Sequence, residues 1–305
     1  MPEEKPNLIR GLSANGGIIF CGLDSTAIAR ESERLHHTSA SCSAALGRLL
    51  TAGSMMGMML KNTQDTITLR MQGSGAAGTL IVVSDGLGIV RGCITNPQAD
   101  LPPRADGHLD VGGVIGKEGV LTVIRDSPDM KEPYVGQIPL VSGEVAEDIT
   151  NYYSVSEQIP TVCALGVLVD RDLSVHCAGG YLLQLLPGAT EEEIDHLEQN
   201  ISKMPAVTQL LEQGKTPEDW MHIVLEGFAP EILDEHTVRY RCNCCRERTE
   251  QMLLSLGRRE LEKMAQEDPH CEVVCHFCNQ KYQFDLPELL QKQHNLASAS
   301  AKKES

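Results

Sequence analysis

The sequence predicts an α+β fold in which an N-terminal α+β domain is followed by a helical acidic linker and a small cysteine-rich C-terminal domain. Three observations carry this prediction. Strand signals recur through the first 185 residues with two helical segments among them; residues 190–236 hold twelve Asp and Glu against two Lys; and six of the eleven cysteines fall between Cys242 and Cys278. A chain of 305 residues exceeds the length of one compact domain, about 100–200 residues, so several units are expected.

Runs rich in β-branched side chains mark strands at residues 17–21, 66–71, 79–83, 89–94, 121–124 and 164–169. Ser84-Asp-Gly-Leu-Gly88 reads as a hairpin turn between two of them, and Asp170-Arg-Asp-Leu173 as another. The helical segments cover residues 25–36 and 40–60, the second rich in Ala, Leu and Met, as a buried helix should be. Adjacent antiparallel strands with segregated helices make residues 1–188 an α+β domain. The glycines from Gly47 to Gly57 lack the spacing and lysine of a phosphate loop, so they are expected to serve close helix packing.

Composition changes after Leu186-Pro-Gly188. Thr190 and Glu193 form a capping-box pattern, and Ile194, Leu197, Ile201 and Met204 give the helix that follows one apolar stripe. Thr216-Pro217 starts a second helix that leads into Trp220, Ile223 and Val224. Residues 190–236 are therefore expected to form a helical layer with a net charge of −10. A solvated acidic face explains that charge most simply; a linker of marginal stability, residues 189–239, is the sharper expectation. Small polar residues at the end predict a disordered tail, residues 289–305.

The net charge of −16 repels phosphate backbones and anionic lipid heads, so nucleic acid and membranes are not expected as partners. The longest apolar stretch, near residues 49–60, is too short for the ~20 residues of a membrane span. Met1-Pro-Glu-Glu-Lys-Pro6 has no basic segment leading into an apolar one, so a cytoplasmic location is expected.

In a reducing cytosol, clustered cysteines bind metal or respond to oxidant. Cys21, Cys42, Cys93, Cys163 and Cys177 are scattered and read as small buried hydrophobes. Arg241-Cys-Asn-Cys244 and Cys275-His-Phe-Cys278, by contrast, are close pairs 30 residues apart, the pattern of two loops meeting at one tetrahedral ion. Four thiolates favour one Zn2+ per chain through Cys242, Cys244, Cys275 and Cys278, a closed shell with no position for water, which makes residues 240–288 a zinc-binding domain. The segment between the pairs can supply a helical hairpin, and residues 281–284 a short strand. Cys245, Cys271, His270 and His276 are competing ligands. A site that holds all four sulfurs deprotonated is both a staple and a target for oxidants.

The chain resembles the 33-kDa heat-shock protein family of redox-regulated holdase chaperones over nearly all of residues 7–286. The resemblance rests on Arg34-Leu-His-His-Thr-Ser39, Ala45-Leu-Gly-Arg-Leu-Leu-Thr-Ala-Gly53, Lys131-Glu-Pro-Tyr-Val-Gly-Gln137, Ser154-Val-Ser-Glu-Gln-Ile-Pro160, Gly179-Gly-Tyr-Leu-Leu-Gln-Leu-Leu-Pro187 and the Cys-x-Cys and Cys-x-x-Cys pairs. It implies a substrate-binding and dimerisation domain, a metastable linker and a redox-switch domain, inactive as a reduced, zinc-loaded monomer. It also implies stress activation: disulfides Cys242–Cys244 and Cys275–Cys278 form, zinc leaves, the linker unfolds, and an oxidised homodimer binds unfolding client proteins without ATP. Cys245 and Cys271 are extra to the family's motif. The competing readings are a thiol-disulfide oxidoreductase resting on Cys275 and Cys278, which lacks the strand–helix context such a motif needs, and a constitutive zinc-ribbon binding module, for which an acidic chain is poor material. The family reading predicts that the chain is not an enzyme.

Overall fold

The computed structural model describes residues 5–301, with side-chain surroundings over residues 5–293. The chain forms compact units at residues 1–241 and 242–305. The first opens with strands β1 (Leu8–Leu12) and β2 (Ile18–Asp24) and helices α1 (Thr26–His36) and α2 (Ala40–Met58). Strands β3 (Thr66–Gln72), β4 (Thr79–Asp85) and β5 (Val90–Ile94) follow, then a short helix α3 (Val111–Ile115) and strands β6 (Val120–Asp126) and β7 (Tyr134–Pro139). Helix α4 (Val145–Tyr152) runs into a π-helical turn, Tyr153–Glu157, ahead of strands β8 (Thr161–Val169) and β9 (Val175–Leu185). Helices α5 (Glu191–Lys203), α6 (Val207–Glu212) and α7 (Pro217–Val224) and strand β10 (Glu231–His236) complete the unit.

The strands form two five-stranded antiparallel sheets, β10-β1-β2-β9-β8 and β5-β4-β3-β6-β7. Helix α2 is buried on nearly every side and packs on both sheets. Its glycines are there for proximity, as expected: a Cβ at Gly57 would lie 2.5 Å from the Asp85 carbonyl oxygen. The first sheet is apolar on both faces. Leu8, Cys21, Leu23 and Leu182 face the main core with α2, while Ile9, Phe20, Tyr181 and Leu183 alternate with them and face a second core. That second core is closed by α5, α6 and α7 through Leu197, Leu210, Trp220, Met221 and Val224. Ile194, Ile201 and Met204 line the same seam, half-buried, but Ile223 points outward.

Both helix starts read from the sequence are made as capping boxes, Thr190 with Glu193 and Thr216 with Asp219. The expected helical layer, however, ends at Val224. After Pro230 the chain extends as β10 and pairs with β1, because β1 offers an open edge more than 200 residues earlier and Arg10 clamps Asp234 with two-pronged hydrogen bonds from its guanidinium. Arg10 also donates to the Met58 carbonyl at the end of α2 (3.1 Å), and His236 Nε2 lies 3.3 Å from Asp234. Past β10, Val238 enters the main core and Tyr240 bridges in parallel to Val90 on β5, its hydroxyl donating to the Gly92 carbonyl (2.8 Å).

The second unit comprises a helical hairpin, α8 (Arg246–Ser255) and α9 (Arg258–Glu267), a β-hairpin, β11 (His270–Val274) with β12 (Lys281–Asp285), and helix α10 (Leu286–Ala301). The hairpin of helices and the strand at 281 match the expectation. The tail does not begin at residue 289: Leu286 and Leu289 pack with Leu253, Leu261 and Phe284 and carry the chain on as α10, while residues 302–305 lie outside the described residues. Among the described residues, no helix is long and apolar enough to cross a membrane.

Trp220→Ala removes the largest side chain from the seam beneath α5–α7, and by the usual scale for core truncation should destabilise the layer by about 3–5 kcal/mol. Amide exchange should rise in α5–α7 with α2 unchanged, and Ile223→Ala should leave both near wild type. The hydrogen bonds from Arg10, against some burial, hold the Asp234 carboxyl below its usual range. A carboxyl lowered in the fold stabilises above the unfolded value, about 3.9, and that contribution is lost as pH falls through the folded value. Fluorescence of Trp220, the single tryptophan, should report loosening below about pH 3.9, and in Asp234→Asn this pH-dependent component should be absent.

Candidate metal centre

The two cysteine pairs reach one point by different local routes. Cys242 and Cys244 lie on the segment without regular structure just past the Tyr240 bridge. Cys275 and Cys278 sit in the tight turn joining β11 to β12. The Cys275 amide donates to the Gln280 carbonyl (2.9 Å), the Cys275 carbonyl accepts from the Cys278 and Asn279 amides, and Asn279 adopts a left-handed conformation (φ 58°) that asparagine tolerates well. The pairing of β11 with β12, Val274 opposite Lys281, fixes the mouth of this turn.

All four Sγ atoms lie within 4.8 Å of one another. Close approaches run across the pairs, Cys244 to Cys278 at 3.3 Å and Cys242 to Cys275 at 3.7 Å. Four sulfurs about 2.3 Å from a central ion at tetrahedral angles stand about 3.8 Å apart, close to the spacing of this cluster. Without a cation, four such thiols are not equally acidic. Burial, then the neighbouring sulfurs, push the Cys242 thiol up to about 11, and burial also raises Cys278. Cys244 moves the other way: burial opposes it, yet a hydroxyl hydrogen bond from Tyr282 (3.2 Å), together with its neighbours, holds it below the ordinary thiol value. A divalent cation at the centre reverses this logic and favours four thiolates.

The other candidate ligands lie outside the cluster. Cys245 occupies the position before α8, where its carbonyl accepts from the Thr249 hydroxyl, and Cys271 is on β11 against the small core. His270 is exposed beside Asp285. Cys275 and Cys278 stand in a hairpin turn and not at a helix N-terminus, the setting that activates a thioredoxin-like pair. Of the remaining cysteines, Cys21, Cys42 and Cys177 are buried as expected, whereas Cys93 and Cys163 are half-buried. Tyr282 was not singled out from the sequence, although the two-residue period of the strand at 281–285 places it on the same face as buried Phe284.

The sequence model of the family described as Hsp33 protein matches residues 7–285. This chain belongs to the Hsp33 family. The 33 kDa chaperonin of Clostridioides difficile strain 630 is 45% identical over 284 residues, covering 93% of this chain and 97% of the relative. That of Clostridium botulinum strain Hall is 41% identical over 285 residues, 93% of this chain and 96% of the relative. The crystal structure of the 33 kDa chaperonin of Thermotoga maritima superimposes with a TM-score of 0.87 at 33% identity, covering 96% of this chain and all of that one. The Hsp33 fold thus accounts for the α+β architecture, and among the described residues the cluster of Cys242, Cys244, Cys275 and Cys278 could hold a metal ion.

Metal analysis of the reduced protein should separate ligands from bystanders. Cys244→Ser and Cys278→Ser should each lose the bound metal and the ordered second unit, whereas Cys245→Ser and Cys271→Ser should keep one metal per chain.

Proposed function

We propose that the chain is a redox-regulated, ATP-independent holdase chaperone, inactive as a reduced monomer with one Zn2+ on Cys242, Cys244, Cys275 and Cys278. The observation that carries this reading is the convergence of four sulfurs in a unit whose buried core consists of Leu253, Leu261, Phe284, Leu286 and Leu289. A donor set of thiols alone suits zinc and not a hard cation such as Mg2+ or Ca2+. Bound zinc supplies a cross-link between the two loops and keeps their sulfurs deprotonated, a contribution on the order of 10–16 kcal/mol in zinc-finger peptides. So small a core leaves residues 240–288 dependent on that cross-link, and they form the redox-switch domain.

Each thiolate can attack a peroxide oxygen: an S–O bond forms, the O–O bond breaks, hydroxide leaves, and the sulfur is oxidised by two electrons to a sulfenic acid. A second cysteine then attacks that sulfur, forming a disulfide as water departs. Two disulfides consume all four ligands. Pairing as Cys242–Cys244 and Cys275–Cys278 follows the family resemblance, although in the reduced form close approaches also run across the pairs.

In this reading residues 189–239 are the metastable linker. Their charge of −10 is self-repelling, and the indole N–H of Trp220 is buried with no acceptor among the described residues, a penalty of about 1–3 kcal/mol within the seam. Unfolding of the small domain destabilises the adjoining layer. Its displacement uncovers Ile9, Ile18, Phe20, Tyr181 and Leu183 on the sheet of residues 1–188 together with its own Leu197, Trp220 and Val224. This apolar surface binds unfolding client proteins and supports an oxidised homodimer, while the acidic residues keep the complexes in solution. The same charge argues against nucleic acid or membrane partners and fits a cytoplasmic chaperone.

Light scattering of a thermally unfolding client, with no ATP, should be suppressed by peroxide-treated and warmed protein and not by the reduced form, in step with metal release. Equal protection by both forms, or protection by oxidised protein that retains its metal, would overturn the redox switch.

A further inference from the structure

The four sulfurs of the cluster do not have identical surroundings, and the difference is built into the β11–β12 hairpin. Its register sets Val273 opposite Tyr282 and Cys271 opposite Phe284. Alternation along β12 turns Tyr282 and Phe284 inward and Lys281 and Gln283 outward. Phe284 is buried in the small core beneath the guanidinium of Arg246, 4.6 Å from the ring centroid, which holds β12 against the start of α8. The Tyr282 ring packs on the edge of that core, and its hydroxyl reaches 3.2 Å from Cys244 Sγ. This contact joins the second half of the hairpin to a sulfur 38 residues earlier, in the opposite cysteine pair.

We propose that Tyr282 is a positioning residue that guards Cys244: its hydroxyl donates to the Cys244 sulfur, seats it in the ligand set and slows its oxidation, so that Tyr282 sets the oxidant dose at which the first cysteine pair is lost. The inference rests on the proposed metal centre and adds to it a residue outside the ligand set. Two physical effects act together. A hydrogen bond to a thiolate draws off electron density, and thiolate nucleophilicity falls with basicity. The hydroxyl also occupies one direction from which a peroxide oxygen would approach. The guarded step is attack of the Cys244 thiolate on hydrogen peroxide, in which the S–O bond forms, the O–O bond breaks and hydroxide leaves, the sulfur losing the two electrons that the peroxide gains. The resulting sulfenic acid condenses with a neighbouring cysteine and releases water. Hydrogen bonds of this kind correspond to a rate effect of roughly 3- to 10-fold. Partners outside the ligand set also commonly change metal affinity 10- to 100-fold, so a chelator alone would not isolate the effect.

The test uses the full-length, reduced protein, with hydrogen peroxide as oxidant and a cyclic 1,3-diketone to trap sulfenic acid, read residue by residue by mass spectrometry. In Tyr282→Phe, labelling at Cys244 relative to Cys278 should rise roughly 3- to 10-fold, and metal release should need less peroxide. Phe284→Leu, which loosens the same hairpin without touching the hydroxyl, should raise labelling at both cysteines together. If Tyr282→Phe does not fold, O-methyltyrosine and 4-aminophenylalanine placed at position 282 replace it: the first keeps the ring and oxygen without the proton and should expose Cys244, and the second restores a donor and should protect it. A Cys244 to Cys278 ratio unchanged by loss of the donor, in wild-type protein that carries its metal, overturns the role of Tyr282 and leaves the metal centre standing. Wild-type protein that binds no metal when reduced overturns both.

Discussion

The sheet β10-β1-β2-β9-β8 presents apolar side chains on both faces, and this sets the terms for the rest of the first unit. A sheet of this kind has to be covered twice. One cover is α2, a helix of Ala, Leu, Met and Gly whose own burial is nearly complete and whose contacts extend into the second sheet, so it cannot leave without the unit unfolding. The other is the layer α5–α7, short helices with buried apolar positions, of which α5 and α7 are acidic elsewhere. Short helices are marginal alone and draw their stability from docking. One face of the sheet is therefore closed by the core of the unit, and the other by a cover made of weakly self-sufficient parts.

The second unit solves its stability problem differently. It has few buried apolar side chains, and its four sulfurs converge at the mouth of the β11–β12 hairpin. In the proposed switch, folding is linked to thiol chemistry, and the unit's stability becomes conditional on redox state. The clamp of Arg10 on Asp234 and the capping boxes at Thr190 and Thr216 secure the ends of the acidic layer by local polar contacts, and these do not substitute for burial of its apolar stripe.

Much of this was legible in the sequence because the signals are short-range. Cysteine spacing, the capping boxes, the hairpin turns at residues 84–88 and 170–173 and the buried character of α2 all depend on neighbours within a few residues, and the structure has them where expected. What escaped is long-range. Strand β9 is buried on both faces and so lacks the alternation that marks a strand; its Gly179 and Gly180 admit the Leu23 and Ala164 carbonyls at distances no side chain would allow. Strand β10 has Ile232 and Leu233 exposed and owes its conformation to the open edge of β1. Helix α10 begins where Leu286 and Leu289 find the small core. Tyr282 gains its meaning only once the hairpin brings it to Cys244.

The parallel bridge between Val90 and Tyr240 makes residue 241 a fixed anchor immediately before Cys242, the first residue of the cysteine pairs, since the Arg241 amide donates to the Val90 carbonyl (2.9 Å). Whatever happens beyond that point happens on a leash. A flexible chain as long as residues 242–305 has a root-mean-square span of about 45 Å, so its cysteines remain at an effective concentration that a separate molecule could not match. The meeting of the two cysteine pairs is then a unimolecular event whose rate does not depend on how dilute the protein has become.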